Sequence, residues 1–156
     1  MGMTPKEMKR RAIELMAVQR FHCSQALAAV GQEKLEKRGD DVIRAMGAFG
    51  GGLGGNGEVC GALVGAMAVL GLCYSRAHQH EKENPKMCAA AQELLRRFRD
   101  EAVDQEGTIY CRDIADVDWT DRAQAREFYS GDKVKRCIRI VGHTAFILGE
   151  LLERDP

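Results

Sequence analysis

The sequence has no surplus of charge of either sign, no apolar run long enough to cross a bilayer, and no pair of cysteines within a few residues of each other. Lysine and arginine number 23, matched by 23 aspartates and glutamates. No global field is therefore available to hold a polyanion, and nucleic acid is not an expected partner. The longest apolar stretch, within GEVCGALVGAMAVLGLCY, falls short of the roughly 20 residues that a spanning helix needs. No membrane span is expected. The opening MGMTPKEMKRRAIEL is charged from Lys6 onward and carries neither an apolar leader nor a myristoylation pattern. A cytoplasmic location follows as the expectation. Six cysteines in that compartment do not make a static disulfide framework, because exposed thiols are kept reduced there. None has the close spacing of a zinc or ferredoxin site.

What is present reads as helix. A chain of 156 residues with 45% hydrophobic content can bury one core, so a single domain over residues 1–156 is expected. Thr4-Pro5-Lys6-Glu7 is a capping box with proline at the first helical position, ahead of Met8, Ala12, Leu15 and Met16. The apolar face resumes at Cys23, Ala26, Leu27 and Val30, which predicts a break close to Cys23. A short helical stretch from Asp40 runs into a glycine segment, in which seven of the chain's 17 glycines fall between Gly47 and Gly57. That density predicts a loop from Gly50 to Gly57.

The following segment is apolar on nearly every face, with Gly61, Ala62, Gly65 and Ala66 in adjacent rows, as expected of a buried central helix that another backbone approaches closely. Asn84-Pro85 starts a further helix with Met87, Cys88, Ala91, Leu94, Leu95 and Phe98 on its apolar face. TIYCRDIADVDW has no sustained period and reads as an ordered connection. A short helix is expected from Thr120 to Tyr129, and a long one from Asp132 to Leu152 turns Cys137 inward. The fold class is all-α, an irregular bundle of about five or six helices around the small-residue-rich one.

Cys60 is the most informative thiol. It follows the glycine loop and opens a helix whose free amides and dipole favour the thiolate, so a lowered pKa is expected. Cys23 lies near a helix start beside His22, and Cys111 sits in the irregular connection. Cys73 turns to the opposite side of its helix from Cys60, and Cys73 and Cys88 read as core. His78-Gln79-His80 reads as an exposed turn, and His143 points away from Cys137. Gly52-Leu53-Gly54-Gly55-Asn56-Gly57 has the letters of a dinucleotide fingerprint, but a helix precedes it and no βαβ unit surrounds it. The loop is better suited to bring backbone amides close to sulfur.

HCSQALAAVG around Cys23, GEVCGALVGAMAVLG around Cys60, YCRDI around Cys111 and KRCIRIVGHTAFILGELL around Cys137 together resemble the family labelled C-GCAxxG-C-C, whose members are described as putative redox-active proteins. The order Cys60-Gly61-Ala62-x-x-Gly65 after a glycine run carries the resemblance. It implies a helical protein whose four framing cysteines act together. The family is also similar to the C-terminal part of split-Soret cytochromes, where comparable cysteines are associated with an iron-sulfur centre. By that resemblance Cys23, Cys60, Cys111 and Cys137 are the ligands of an iron-sulfur cluster; four cysteines satisfy one of the 2Fe-2S type, expected to serve electron transfer with a protein partner or redox sensing. No CxxCH is present, so no haem is expected. Two further readings stay open: a metal-free thiol oxidoreductase in which Cys60 attacks, and a structural zinc or dimerisation module, with a homodimer formed through the small-residue helix.

Overall fold

The computed structural model describes residues 2–103 and 107–154. The described residues form no strand, and eight α-helices account for most of them. We number these α1 (Pro5–Ala17), α2 (Cys23–Leu35), α3 (Asp40–Met46), α4 (Gly61–Tyr74), α5 (Lys86–Arg97), α6 (Cys111–Ala115), α7 (Arg122–Ser130) and α8 (Asp132–Glu153). The expected five or six is thus an undercount. The main reason is α6, a single turn of helix where an irregular connection was expected. One turn is too short to display a period.

The capping box at Thr4 forms as the sequence requires, with the Glu7 amide donating to Thr4 Oγ1 at 3.2 Å and the Thr4 amide to Glu7 Oε2 at 2.7 Å. Helix α1 buries Met8, Ala12 and Leu15 against α8, the longest helix. Two glycines of α8 let the pair close: a Cβ at Gly149 would lie 2.9 Å from Met8 Sδ, and one at Gly142 only 2.7 Å from Ile13 Cδ1. Between α1 and α2 the chain reverses through Arg20, whose backbone is left-handed (φ 61°). The break near Cys23 is where the periodicity places it.

Helix α4 buries Gly61, Ala62, Leu63, Gly65, Ala66, Val69 and Leu70. Its small-residue stripe is occupied within the chain, by α2. A Cβ on Gly65 would stand 2.4 Å from the carbonyl oxygen of Ser24, and one on Gly61 would stand 2.5 Å from Cys23 Sγ. Buried Ser24 donates to the Met46 carbonyl at 2.6 Å, and Gln25 Nε2 donates to that of Ile43 at 3.1 Å, so α3 is held against α2. No described helix is long and apolar enough to cross a membrane.

The connection from α3 to α4 folds into a tight turn over Gly50–Leu53, with Gly51, Gly52, Gly54, Gly55 and Gly57 all at positive φ. Its far end pairs with the entry to α6. Val59 and Tyr110 form an isolated antiparallel bridge, flanked by the Cys60 amide on the Ile109 carbonyl and the Cys111 amide on the Glu58 carbonyl, both 2.7 Å.

Two apolar clusters result. The larger lies among α1, α2, α4, α5 and α8 with Ile114 of α6, and the smaller gathers Cys111, Ala115, Val117 and Phe128, with Trp119, Val134 and Cys137 against it. Cys137 packs against both. The expected helix from Thr120 to Tyr129 is α7, capped by the Asp121 carboxylate on the amides of Ala123 and Gln124.

Candidate functional site

Cys23 is the first residue of α2, Cys60 caps α4, Cys111 is the first residue of α6 and Cys137 lies in the second turn of α8. All four line a single cavity of about 540 Å³. Each arrives there for a local reason. The reversal at Arg20 starts α2 anew, and His22, whose amide donates to Gln25 Oε1 at 3.2 Å, caps it. The Val59–Tyr110 bridge sets the other two N-terminal cysteines. Residues 58 and 60 face one side of that pairing together with 109 and 111, so Cys60 and Cys111 are diagonal neighbours on one face. Cys137 comes from the period of α8, while Arg136 Nη1 on the Ile114 carbonyl (3.1 Å) and Lys133 Nζ on the Asp116 carbonyl (2.6 Å) dock α8 to the end of α6.

Glycine is required where the turn meets the sulfurs. A Cβ at Gly52 would fall 2.7 Å from the Cβ of Cys111 and 2.5 Å from the Glu58 amide nitrogen, at a φ of 72° that already disfavours side chains. The neighbouring Gly51 lines the cavity itself.

The electrostatics of the four thiols are set by burial. Cys60 and Cys111 are buried, Cys23 and Cys137 partly so. Burial pushes the Cys23 thiol up to about 11; nearby Cys111 adds to the rise, and the backbone amides of Ser24, Gly51 and Cys23 act against it. Cys137 is pushed up to about 12, again first by burial and then by Cys23 and Cys111, with Arg136 opposing. Cys60 is raised well above its ordinary value by burial and by Cys23, against a lowering by the Ala62 amide. This corrects the expected lowering at Cys60. The helix terminus does act in the expected sense, but removing the sulfur from water outweighs it. Cys111 is also raised by burial, and Trp119, whose Nε1 donates to its Sγ at 3.4 Å, opposes the rise.

Trp119 is the site residue that the sequence did not single out. It is the only tryptophan of the chain, eight residues beyond Cys111, with its ring edge to Phe128 at 4.8 Å between centroids. A lone large aromatic among the aspartates of a polar connection was the available signal. Tyr129 also lines the cavity and is 63% exposed, whereas the adjacent Phe128 is buried.

The remaining candidates lie elsewhere. Cys73 is half-buried against the main core and does not line the cavity. Cys88 is exposed, which corrects its expected place in the core: the buried stripe of α5 runs through Met87, Ala91, Leu94 and Phe98, and Cys88 sits beside it in the first turn. His78 and His80 stack on each other in an exposed turn. His143 faces a separate groove with Lys6 and Lys9. Around the glycine loop the described residues form no βαβ unit, so the dinucleotide lettering has no structural counterpart.

Among the described residues no three histidine, cysteine, aspartate or glutamate side chains close on one point as a single-ion site requires. The six cysteines are free. Four cysteine sulfurs line the one cavity, with an indole N–H at one of them, a donor set of the soft kind.

A family model matches residues 21–151, from the residue before His22 to the last turn of α8, and its description reads "Putative redox-active protein (C_GCAxxG_C_C)". No curated protein and no solved structure gives a significant match.

Proposed function

The chain belongs to the C-GCAxxG-C-C family of putative redox-active proteins, and on that premise we propose that Cys23, Cys60, Cys111 and Cys137 hold an iron-sulfur centre of the two-iron type for electron transfer or redox sensing. The observation that carries this reading is the meeting of four cysteines, from four distant stretches of chain, in one cavity. A two-iron centre asks for two protein ligands at each iron, so it spreads four sulfurs more widely than a single zinc ion would. When bound, such a centre supplies one-electron exchange.

The chain supplies the surroundings. Its apolar walls flank the sulfurs, Gly52 lets the backbone turn approach Cys111, and Trp119 holds an N–H at that sulfur. Hydrogen bonds to sulfur and burial are the means by which a protein tunes such a centre. The raised thiol pKa values work against the metal-free alternative, because a nucleophilic Cys60 needs its thiolate. They are compatible with a cationic group, which deprotonates its ligands as it binds. The free state of all six cysteines suits a reducing compartment such as the cytoplasm. The partner in the exchange is then another electron-transfer protein.

Purification without air tests the proposal. The expected sample is brown, with about two irons and two sulfides per chain. Serine at any one of the four positions should lower the iron content, while Cys73→Ser and Cys88→Ser leave it unchanged. A colourless sample free of iron would overturn the proposal, and zinc in place of iron would favour the single-ion alternative.

A further inference from the structure

The cavity is larger than four cysteines and a small inorganic group require. Four atoms of about the size of water would displace roughly 120 Å³, whereas the cavity holds about 540 Å³. That volume lies in the range of sites for small organic molecules, about 300 to 1,000 Å³. Away from the sulfurs its wall is apolar, formed by Met16, Phe21, Ile114, Phe128, Ile140 and their neighbours. The charges that reach it are of one sign. Arg20 and Lys135 line it, and no aspartate or glutamate does.

Both cations are exposed and so stand on its solvent side. Lys135 is paired only with the exposed carboxylate of Asp132 at 3.2 Å, a contact that water weakens. Among the described residues Arg20 has no ion-pair or hydrogen-bond partner, and its left-handed backbone is a conformation that non-glycine residues seldom adopt. Of the four described non-glycine residues with positive φ, it is the one that lines the cavity. Exposed Tyr129 adds a phenol at the same wall.

We propose that this cavity also binds a small amphipathic carboxylate, whose apolar body lies against the Met16, Phe21 and Phe128 wall and whose acid group meets Arg20 and Lys135. The inference uses the same cavity as the proposed centre but does not rest on a centre being bound. The apolar wall alone would accept any compact hydrocarbon. It is the two cations, met only by the solvent-exposed Asp132 carboxylate on Lys135, that favour an anion over a neutral ligand of the same body.

Trp119 is the only tryptophan and lies in the cavity wall, so its emission reports occupancy directly. Octanoate and octanol, which share a body and differ in charge, are titrated into the full chain as purified without air and again after chelation of any metal. The expected result is a saturable change in Trp119 emission, with octanoate bound about tenfold more tightly than octanol. The double variant Arg20→Gln, Lys135→Gln should lose that preference while its octanol affinity stays the same. Its circular dichroism should match that of the unaltered chain, and Lys135→Gln alone should lose part of the preference. No saturable change with octanoate, or an undiminished preference in the double variant, would overturn the inference. A brown protein that fails to bind octanoate refutes this inference and leaves the iron-sulfur reading intact; a colourless one that binds it does the reverse.

Discussion

Three glycine-to-alanine substitutions in α4 should have opposite consequences, and the sign at each follows from what the new methyl group meets. At Gly71 a Cβ would find only Ser75 Oγ, at 3.6 Å, an ordinary contact. Alanine there gains the helix preference and should stabilise by about 0.5–1 kcal/mol. At Gly61 the methyl would lie 2.5 Å from Cys23 Sγ and 2.9 Å from the Phe49 carbonyl oxygen. The sulfur can swing aside, but the carbonyl belongs to the glycine turn. Overpacking of this kind costs about 1–3 kcal/mol, so a net loss of about 1–2 kcal/mol is expected. At Gly65 the obstacle is the Ser24 carbonyl oxygen itself, at 2.4 Å, with Leu27 Cβ at 2.9 Å. No rotation relieves a backbone clash, and Gly65→Ala should be the most damaging, at about 3 kcal/mol. For a chain of this size each kcal/mol moves the melting temperature by roughly 2–4 °C. Thermal unfolding of the metal-free chain should therefore rank Gly71→Ala above the unaltered protein, then Gly61→Ala, then Gly65→Ala. If Gly61→Ala melts with Gly71→Ala, the close approach of α2 and α4 at the cysteines is wrong, and with it the placement of Cys23.

Trp119→Phe keeps an aromatic ring beside Phe128 but removes the N–H at Cys111 Sγ. Losing a hydrogen bond worth about 1 kcal/mol to the more negative state should lower the potential of a bound centre by on the order of 40 mV; an unchanged redox titration would count against the contact. In the metal-free protein the Cys23 and Cys137 thiols are held above their ordinary 9.0, at about 11 and about 12. A raised folded pKa leaves its stability contribution intact below 9.0 and removes it as the pH climbs through those values, since the unfolded chain ionises first. Urea midpoints should accordingly fall between pH 9 and 11, and a flat profile there would contradict the burial of these groups. Iodoacetamide at neutral pH should modify exposed Cys88 well before any of the four cavity thiols, as peptide mapping would show.

The parts of the fold that the sequence made legible are those whose causes are local. The capping box at Thr4, the restart at Cys23 and the stripe of α8 are each written within a few residues, and each stands where it was expected. Helix α6 was not legible, because what defines it is remote: the bridge to Val59 on one side and the docking of Lys133 and Arg136 on the other. The same division separates the site's residues from its chemistry. The identity of the four cysteines came from motif resemblance, but their ionisation did not come from position on a helix. At Cys60 the dipole is a near-neighbour effect and burial a property of the whole molecule, and burial is the larger of the two. Trp119 was missed because a lone aromatic in a polar connection does not by itself foretell a contact; only the turn that follows α6 brings its nitrogen back to Cys111.

Because the proposed ligands come from four remote stretches, the order of events in assembly is constrained. Four thiolates drawn together without a counter-charge would repel one another in a space of low dielectric, whereas four neutral thiols pack there as small apolar groups. The raised pKa values describe that neutral state. The chain should therefore fold first and load afterwards, releasing protons as the sulfurs become ligands. The opposite order, usual for small zinc domains, holds where the core is too slight to fold without metal. Here the larger apolar cluster draws on six helices, and most of its members lie away from the sulfurs. Refolding from urea with a chelator present should then restore the full helical signal. Subsequent loading with iron and sulfide should raise the urea midpoint, because a group that binds only the folded chain adds to its stability. A chain that recovers helicity only when iron is supplied would show that the sulfurs organise the bundle, and would reverse the causal order argued here.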